Sequence, residues 1–388
     1  MYLPAYWMER TSMEQRKGHP YHMHDAIRAQ PEAFVRVLEK NAAGIDAFAA
    51  GAASSERLFL VGIGTSYHAA RAGEHLFREY AGSLDVRAVH SFDFALYGPD
   101  LAPHDCVVLL SHRGTKRYTA LALQRASEAG CRTALVTGES DRSRSTFSST
   151  MSHLEGSLSA GSHAVFETVE QERSAAHTVS YTGAVSVLAY LAGRFGRYRE
   201  GSGTLSETFL RDELPEALRS ALGMEGEVER LAREHLGRRR IWLAGAGPSA
   251  VVAEEVALKI KETSYLQAEG MSTETMLHGP FQCVEDEDLF VLVAPGGGPA
   301  GVQERTLEVA ELAAEIGAAC FIVGDGSEQA VGMVHLSVSA VPEPFGALTC
   351  LVPLQLFAYR LALARGTNPD SFRAEDSRFA RADVSGRL

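Results

Sequence analysis

Leu58-Phe59-Leu60-Val61-Gly62 runs straight into Ile63-Gly64-Thr65-Ser66, and 183 residues later Ile241-Trp242-Leu243-Ala244-Gly245 runs into Ala246-Gly247-Pro248-Ser249. Each is a short apolar run that ends in a glycine turn and then opens a helical stretch. The next apolar runs, Cys106–Ser111 and Leu289–Pro295, start 183 residues apart as well. Thr133–Val136 and Cys320–Val323 follow at an offset of 187, and His153-Leu154 and His335-Leu336 at 182. A near-constant offset over four strand candidates implies an internal duplication.

Helical stretches such as Thr115–Ala129 and Ala300–Ile316 separate these runs. Strand alternating with helix implies a parallel sheet with helices on both faces. The strands read as continuous apolar runs because both their faces are covered. The expected fold is α/β: two tandem, doubly wound, parallel-sheet domains, each a flavodoxin-like or Rossmann-like three-layer sandwich. Residues 1–45 form an N-terminal arm with a helical stripe at Ile27, Phe34, Val35 and Leu38. Residues 46–200 and 201–370 form the two domains, joined through the polar stretch Arg199–Thr204, and 371–388 are a C-terminal tail. A helix over Asp212–Leu231 opens the second half.

The 388 residues suit two domains better than one core. A formal charge of −12 argues against a nucleic-acid or anionic-membrane surface. The five cysteines, Cys106, Cys131, Cys283, Cys320 and Cys350, contain no CxxC pair, and four sit in or beside apolar runs. They read as buried thiols of a reducing compartment. Met1–Lys17 lacks the apolar stretch of a signal peptide, and no run of 18 apolar residues is found. A cytoplasmic protein without a membrane span is expected.

In open α/β sheets ligands bind beyond the C-terminal strand ends. Gly64-Thr65-Ser66 combines a sharp turn, free helix N–H groups and two hydroxyls, which suits a phosphate or sugar oxygens; a plain capped turn is the other reading. Tyr67 at the third-glycine position argues against a dinucleotide. Gly245–Ala250 does fit that pattern but lacks the acid that should follow, and reads as a structural turn. Ser111-His112-Arg113-Gly114-Thr115-Lys116 places hydroxyls, an imidazole and two cations in one strand-to-helix turn. Cations there oppose the helix dipole, which favours an anionic ligand over a merely solvated turn. Ser174-Ala175-Ala176-His177-Thr178 offers further sugar contacts or simply a helix start.

On the helix Ala250–Ser264, Glu255, Lys259 and Glu262 share one face, by default an exposed salt-bridge ladder. Sixteen residues beyond Glu262 lies His278-Gly279-Pro280. Sugar isomerisation needs a carboxylate base and a group for ring opening, and Glu262 and His278 have those types. No His, Cys and Asp cluster has metal-ligand spacing, so no metal and no cofactor are expected.

The block Ala257-Leu-Lys-Ile-Lys-Glu-Thr-Ser-Tyr-Leu-Gln-Ala-Glu269 with Leu277-His-Gly-Pro280 closely resembles the isomerase half of glucosamine-6-phosphate synthase, a sugar-isomerase (SIS) family. Gly64-Thr-Ser-Tyr67, Glu172–Thr182 and Tyr21-His-Met-His24 to Gln30-Pro31 resemble it too. The resemblance implies two SIS domains, with Glu262 as isomerising base, Lys259 beside the sugar, and His278 as a ring-opening group. It also implies a homodimer in which His278 serves the neighbouring subunit's site. Thr65, Ser66, Ser111 and His112 fall on sugar-phosphate positions, and Gly64, Arg113, Thr115, Lys116, Ala175 and His177 fall around them. The family's glutamine-hydrolysing domain has no counterpart, so no glutamine-derived ammonia is expected. Arg113 and Lys116 intrude into a loop otherwise rich in Ser, Gly and Thr. Ser377 stands where the family has a lysine near the sugar, a pattern similar to SIS deglycases acting on 6-phosphorylated Amadori products. The resemblance implies a phosphosugar isomerase, deaminase or deglycase; a non-catalytic phosphosugar sensor is the alternative.

Overall fold

Leu58 and Leu60 face one way from their strand and Phe59 and Val61 the other, and both faces are buried. In the computed structural model, which describes residues 16–139, 163–201, 205–326 and 332–382, this strand is β1 (Arg57–Gly62). It lies between β2 (Asp85–His90) and β3 (Cys106–Leu110). β4 (Arg132–Glu139) and β5 (His163–Glu170) complete a parallel sheet in the order β2-β1-β3-β4-β5. The second half repeats that order. β6 (Ile241–Gly245) lies between β7 (Ala268–Ser272) and β8 (Leu289–Ala294), and β9 (Ala319–Gly324) and β10 (Val334–Ser337) follow.

The duplication extends to backbone dihedrals. Gly64 has φ 57° and ψ −132°, and Gly247 has φ 53° and ψ −125°. A Cβ on Gly62 would stand 2.3 Å from the carbonyl oxygen of Ser66, so the helix after β1 can fold back only over a glycine.

The helices divide into an inner set and two outer sets. α1 (His22–Arg28), α2 (Gln30–Ala52), α3 (Thr65–Tyr80) and α6 (Val179–Glu200) belong to the inner set. So do α7 (Leu214–Leu222), α8 (Glu225–Glu234), α9 (Pro248–Ser264) and α12 (Phe345–Ala364). Their apolar faces form one continuous core with the inner faces of both sheets. α4 (Ser91–Leu96) and α5 (Arg117–Glu128) cover the outer face of the first sheet. α10 (Thr273–Leu277) and α11 (Val302–Ile316) cover that of the second. α13 (Ser377–Ala382) ends the described chain. Gln30, on α2, ties the halves together: its amide donates to Gln355 of α12 at 2.8 Å and its carbonyl accepts from Thr182 of α6.

Several expectations need correction. The helix placed at 212–231 is two helices, α7 and α8, broken at Gly223-Met224. The sequence reading has four strands per half and misses β2 and β7; each is only half-buried at its far end, so neither is a continuous apolar run. The strand expected at His153-Leu154 lies outside the described residues, and β5 begins at His163. Among the described residues one helix, α12, is long and apolar enough to cross a membrane, but 83% of its apolar 18-residue window is buried inside the protein, as the core helix of the second half. Of the cysteines, Cys106, Cys131 and Cys350 are buried, Cys320 is half-buried and Cys283 is exposed.

Candidate active site

The chain turns back on itself between β1 and β3: β2 adds to one side of β1 and β3 to the other. Strand ends at such a switch point leave a crevice. Here a small cleft is lined by Thr65 and Ser66 at the start of α3, by Ser111 and His112 after β3, by Thr168 of β5, and by His177, Ser180 and Tyr181 around the start of α6. Five of the expected site residues therefore meet in one place. Gly64, with its positive φ, sets the turn that delivers two of them.

The wall of this cleft is joined to the second half by buried charge. Lys259 of α9 donates to the Thr65 hydroxyl at 2.9 Å and to Glu262 at 2.6 Å, and lies 3.4 Å from Glu255. Glu255 accepts from Thr65 at 3.1 Å and pairs with His68 of α3 at 2.6 Å. One helical turn away, Arg71 pairs with Glu254. The side chains of Glu255 and Lys259 are 0% and 1% exposed, and that of Glu262 is 22% exposed. The exposed ladder expected from the i, i+4, i+7 spacing is thus a buried row at the domain junction. Burial raises the Glu262 pKa above the ordinary carboxylate value, with Lys259 working against it. Burial works against the charge on Lys259, but Glu255 and Glu262 hold its pKa above the usual lysine range. For Glu255 burial is outweighed by Lys259 and His68, and its pKa is lowered.

The opposite wall is built on a carboxylate the sequence reading did not place in the site. Glu172 is buried and accepts the backbone N–H groups of Thr178, at 3.0 Å, and Ser180, at 2.8 Å, at the start of α6. It thereby fixes the 174–178 segment that presents His177. The backbone N–H of Glu172 donates to His112 Nε2 at 3.1 Å, and the rings of His112 and His177 meet edge to face at 5.0 Å. Burial, with Arg113 beside it, pushes His112 down to about 3. Burial and then His112, Arg113, Lys259 and Lys116 push His177 well below its ordinary value. Arg113 is half-buried, Lys116 flanks the start of α5 and Thr115 is exposed; the three follow Ser111 and His112 in the chain but are not among the residues that line the cleft.

Three expected residues stand elsewhere. Ala175 is buried and its N–H donates to Asp370 at 3.1 Å, which holds the C-terminal segment over this loop. The His278 side chain is 74% exposed and its Nδ1 lies 2.8 Å from the carbonyl oxygen of Glu274. Ser377 is exposed on α13, where its hydroxyl accepts from Arg381. Within one chain, then, His278 and Ser377 are surface groups, while Glu262 and Lys259 belong to the junction.

The SIS domain profile matches residues 53–189 and 236–365, one match for each sheet. The chain belongs to the SIS-domain family. It is 30% identical over 369 residues to the isomerizing glutamine–fructose-6-phosphate aminotransferase of Thermococcus kodakarensis, covering 93% of this chain and 58% of that protein. With the enzyme of the same name from Caulobacter vibrioides it shares 28% over 388 residues, covering 95% and 60%. This SIS chain thus spans about three fifths of the length of the curated relatives it matches. Among solved structures, the C-terminal domain of glucosamine-fructose-6-phosphate aminotransferase from Francisella tularensis superposes with a TM-score of 0.77 at 19% identity, covering 92% of this chain and 99% of that one. Tagatose-6-phosphate ketose/aldose isomerase from Escherichia coli gives 0.72 at 21%, covering 92% and 97%. Both share the duplicated fold of this SIS protein.

Proposed function

We propose that this SIS protein is an enzyme that moves a proton between C1 and C2 of a sugar phosphate or amino-sugar phosphate. The observation that carries the reading is the row Glu255–Lys259–Glu262, whose lysine bonds to Thr65 in the cleft wall. A half-buried carboxylate with a raised pKa is a base suited to neutral pH, and the adjoining ammonium stabilises the enolate oxygen that forms as the proton leaves. Glu262 takes the proton from one carbon and returns it to its neighbour. The step is common to aldose–ketose isomerases, deaminases and deglycases. Incubation with sugar phosphates in deuterium oxide tests it: deuterium enters C1 or C2 if the reading holds. Saturable binding without exchange makes the protein a sensor instead.

His278 opens the ring in this reading, and its exposure fits service in the cleft of a second copy of the chain. Mixing inactive Glu262→Gln with inactive His278→Ala protein should restore roughly a quarter of the sites, because half the dimers are mixed and each has one intact site. Activity that stays absent after subunit exchange is demonstrated removes the shared site.

The cationic turn holds the phosphate. Arg113→Ala should raise KM for a phosphorylated substrate much more than it lowers kcat, since phosphate contacts differ little between ground and transition states. Lys116→Ala should act in the same sense but more weakly, as a point charge rather than a fork. Kinetics at low and high salt read this out, and an unchanged KM in both variants defeats the phosphate clamp.

A further inference from the structure

Two features of the cleft are not used by proton transfer at Glu262. The Ser111 hydroxyl is buried, lines the cleft and has no hydrogen-bond partner. A buried polar atom of this kind points to a ligand that completes it. Beside it stand two imidazoles in very different situations. His112 is fixed: its Nε2 accepts the Glu172 N–H, so the neutral ring carries its proton on Nδ1. Its ring also packs against Gly138, where a Cβ would stand 2.6 Å away. His177 leans on this immobile ring and keeps part of its own surface open.

The groups that face His177 come from three elements. The turn after β3 brings His112, Arg113 and Lys116; α9 brings Lys259; and the segment between β5 and α6 brings Glu172, with Tyr181 just inside the helix. Glu172 is saturated by the α6 N–H groups, and Glu255 and Glu262 are engaged by Lys259. Burial first, and then the cations Arg113, Lys259 and Lys116, disfavour the charged form of His177. A dianion placed among Arg113, Lys116 and the Ser111 hydroxyl offsets the cationic part of that effect and favours the imidazolium.

We propose that His177 is a specificity-determining residue of this cleft, which meets a dianionic ligand end as a protonated hydrogen-bond donor and a neutral end as a neutral ring. This deepens the phosphosugar reading above and rests on it. The proton comes from solvent: neutral His177, one proton and the dianion give an imidazolium–dianion pair. A neutral sugar end offers no such pairing. A monoanion offers half the charge, so the device selects a phosphate monoester over a carboxylate or an unphosphorylated sugar.

Sulfate is the cleanest probe, because it stays a dianion without titrating between about pH 6 and pH 8, the range in which histidine acts as a switch. Calorimetric titration of the full chain with sulfate, and with glucosamine 6-phosphate, in two buffers of different ionisation heat should show proton uptake. Sulfate affinity should fall as pH rises, by up to about tenfold per pH unit where a whole proton is taken up. His177→Asn keeps a side-chain donor but does not titrate. It should abolish the uptake and flatten the pH dependence, and His177→Gln should do the same. Sulfate binding by the unaltered chain without proton uptake overturns the proposal, as does uptake that survives in both variants; either leaves the phosphosugar reading standing. If sulfate, inorganic phosphate and sugar phosphates all fail to bind, both fall.

Discussion

Glu262→Gln should reduce solvent deuterium exchange at C1 or C2 of the substrate by roughly 10²–10⁴-fold, the usual cost of losing a general base. Glutamine keeps the shape and one acceptor oxygen, so the contact with Lys259 Nζ, 2.6 Å in the native chain, survives in altered form. What disappears is the ability to hold a proton reversibly. The loss should appear in kcat, because in the proposed reaction the carboxylate acts on the reacting carbon rather than on the phosphate. The pH profile supplies a second check. Burial raises the Glu262 pKa, so under the proposed reaction the acidic limb of the native chain should lie above the ordinary carboxylate range, with activity rising as Glu262 deprotonates. That limb should vanish from the residual rate of the variant. Near-normal exchange by a folded Glu262→Gln protein removes Glu262 from the mechanism.

The repeat of glycine turns was enough to read the parallel, duplicated architecture, because β1, β3, β6 and β8 are buried on both faces and cannot hide among polar residues. β2 and β7 escaped for the opposite reason: as edge strands they carry exposed Asp85, Arg87 and Glu269. In the site, Thr65, Ser66, Ser111, His112 and His177 were legible as a group because all lie just beyond strand ends. The depth of the Glu255–Lys259–Glu262 row was not. Spacing shows that residues share a helix face and says nothing of what that face meets. A signal was nonetheless present. Val251, Val252, Ala253, Val256, Ala257 and Ile260 spread beyond a single stripe of α9 and border the charged row, which is more apolar surface than a helix with an exposed ladder needs. Glu172 and His68 were missed because their roles depend on neighbours that only the fold brings close: the start of α6 for Glu172, and Glu255, 187 positions away, for His68.

The same row should govern stability. Lys259→Met should lower the unfolding free energy by about 3–5 kcal/mol, the scale for removing one partner of a buried ion pair. Methionine fills most of the volume, so a cavity is not the cause. Glu255, wholly buried, loses the cation 3.4 Å away and retains only Thr65 and His68 as partners. Glu262 loses its 2.6 Å partner but has some access to solvent, so Glu255 accounts for the greater part of the penalty. The strain falls on the contact between α3 and α9, the seam that carries Thr65, and turnover should fall together with the melting temperature. A compensating change separates unpaired charge from lost packing. Adding Glu255→Gln to Lys259→Met removes the stranded carboxylate and should recover a large part of the stability, because an uncharged amide costs less to bury than an orphaned carboxylate. Activity should not return with it, since Glu262 still lacks the ammonium beside it. Thermal unfolding of the single and double variants decides the matter. A Lys259→Met protein as stable as the native chain, or a double variant less stable than the single one, means that the row does not hold the two halves together.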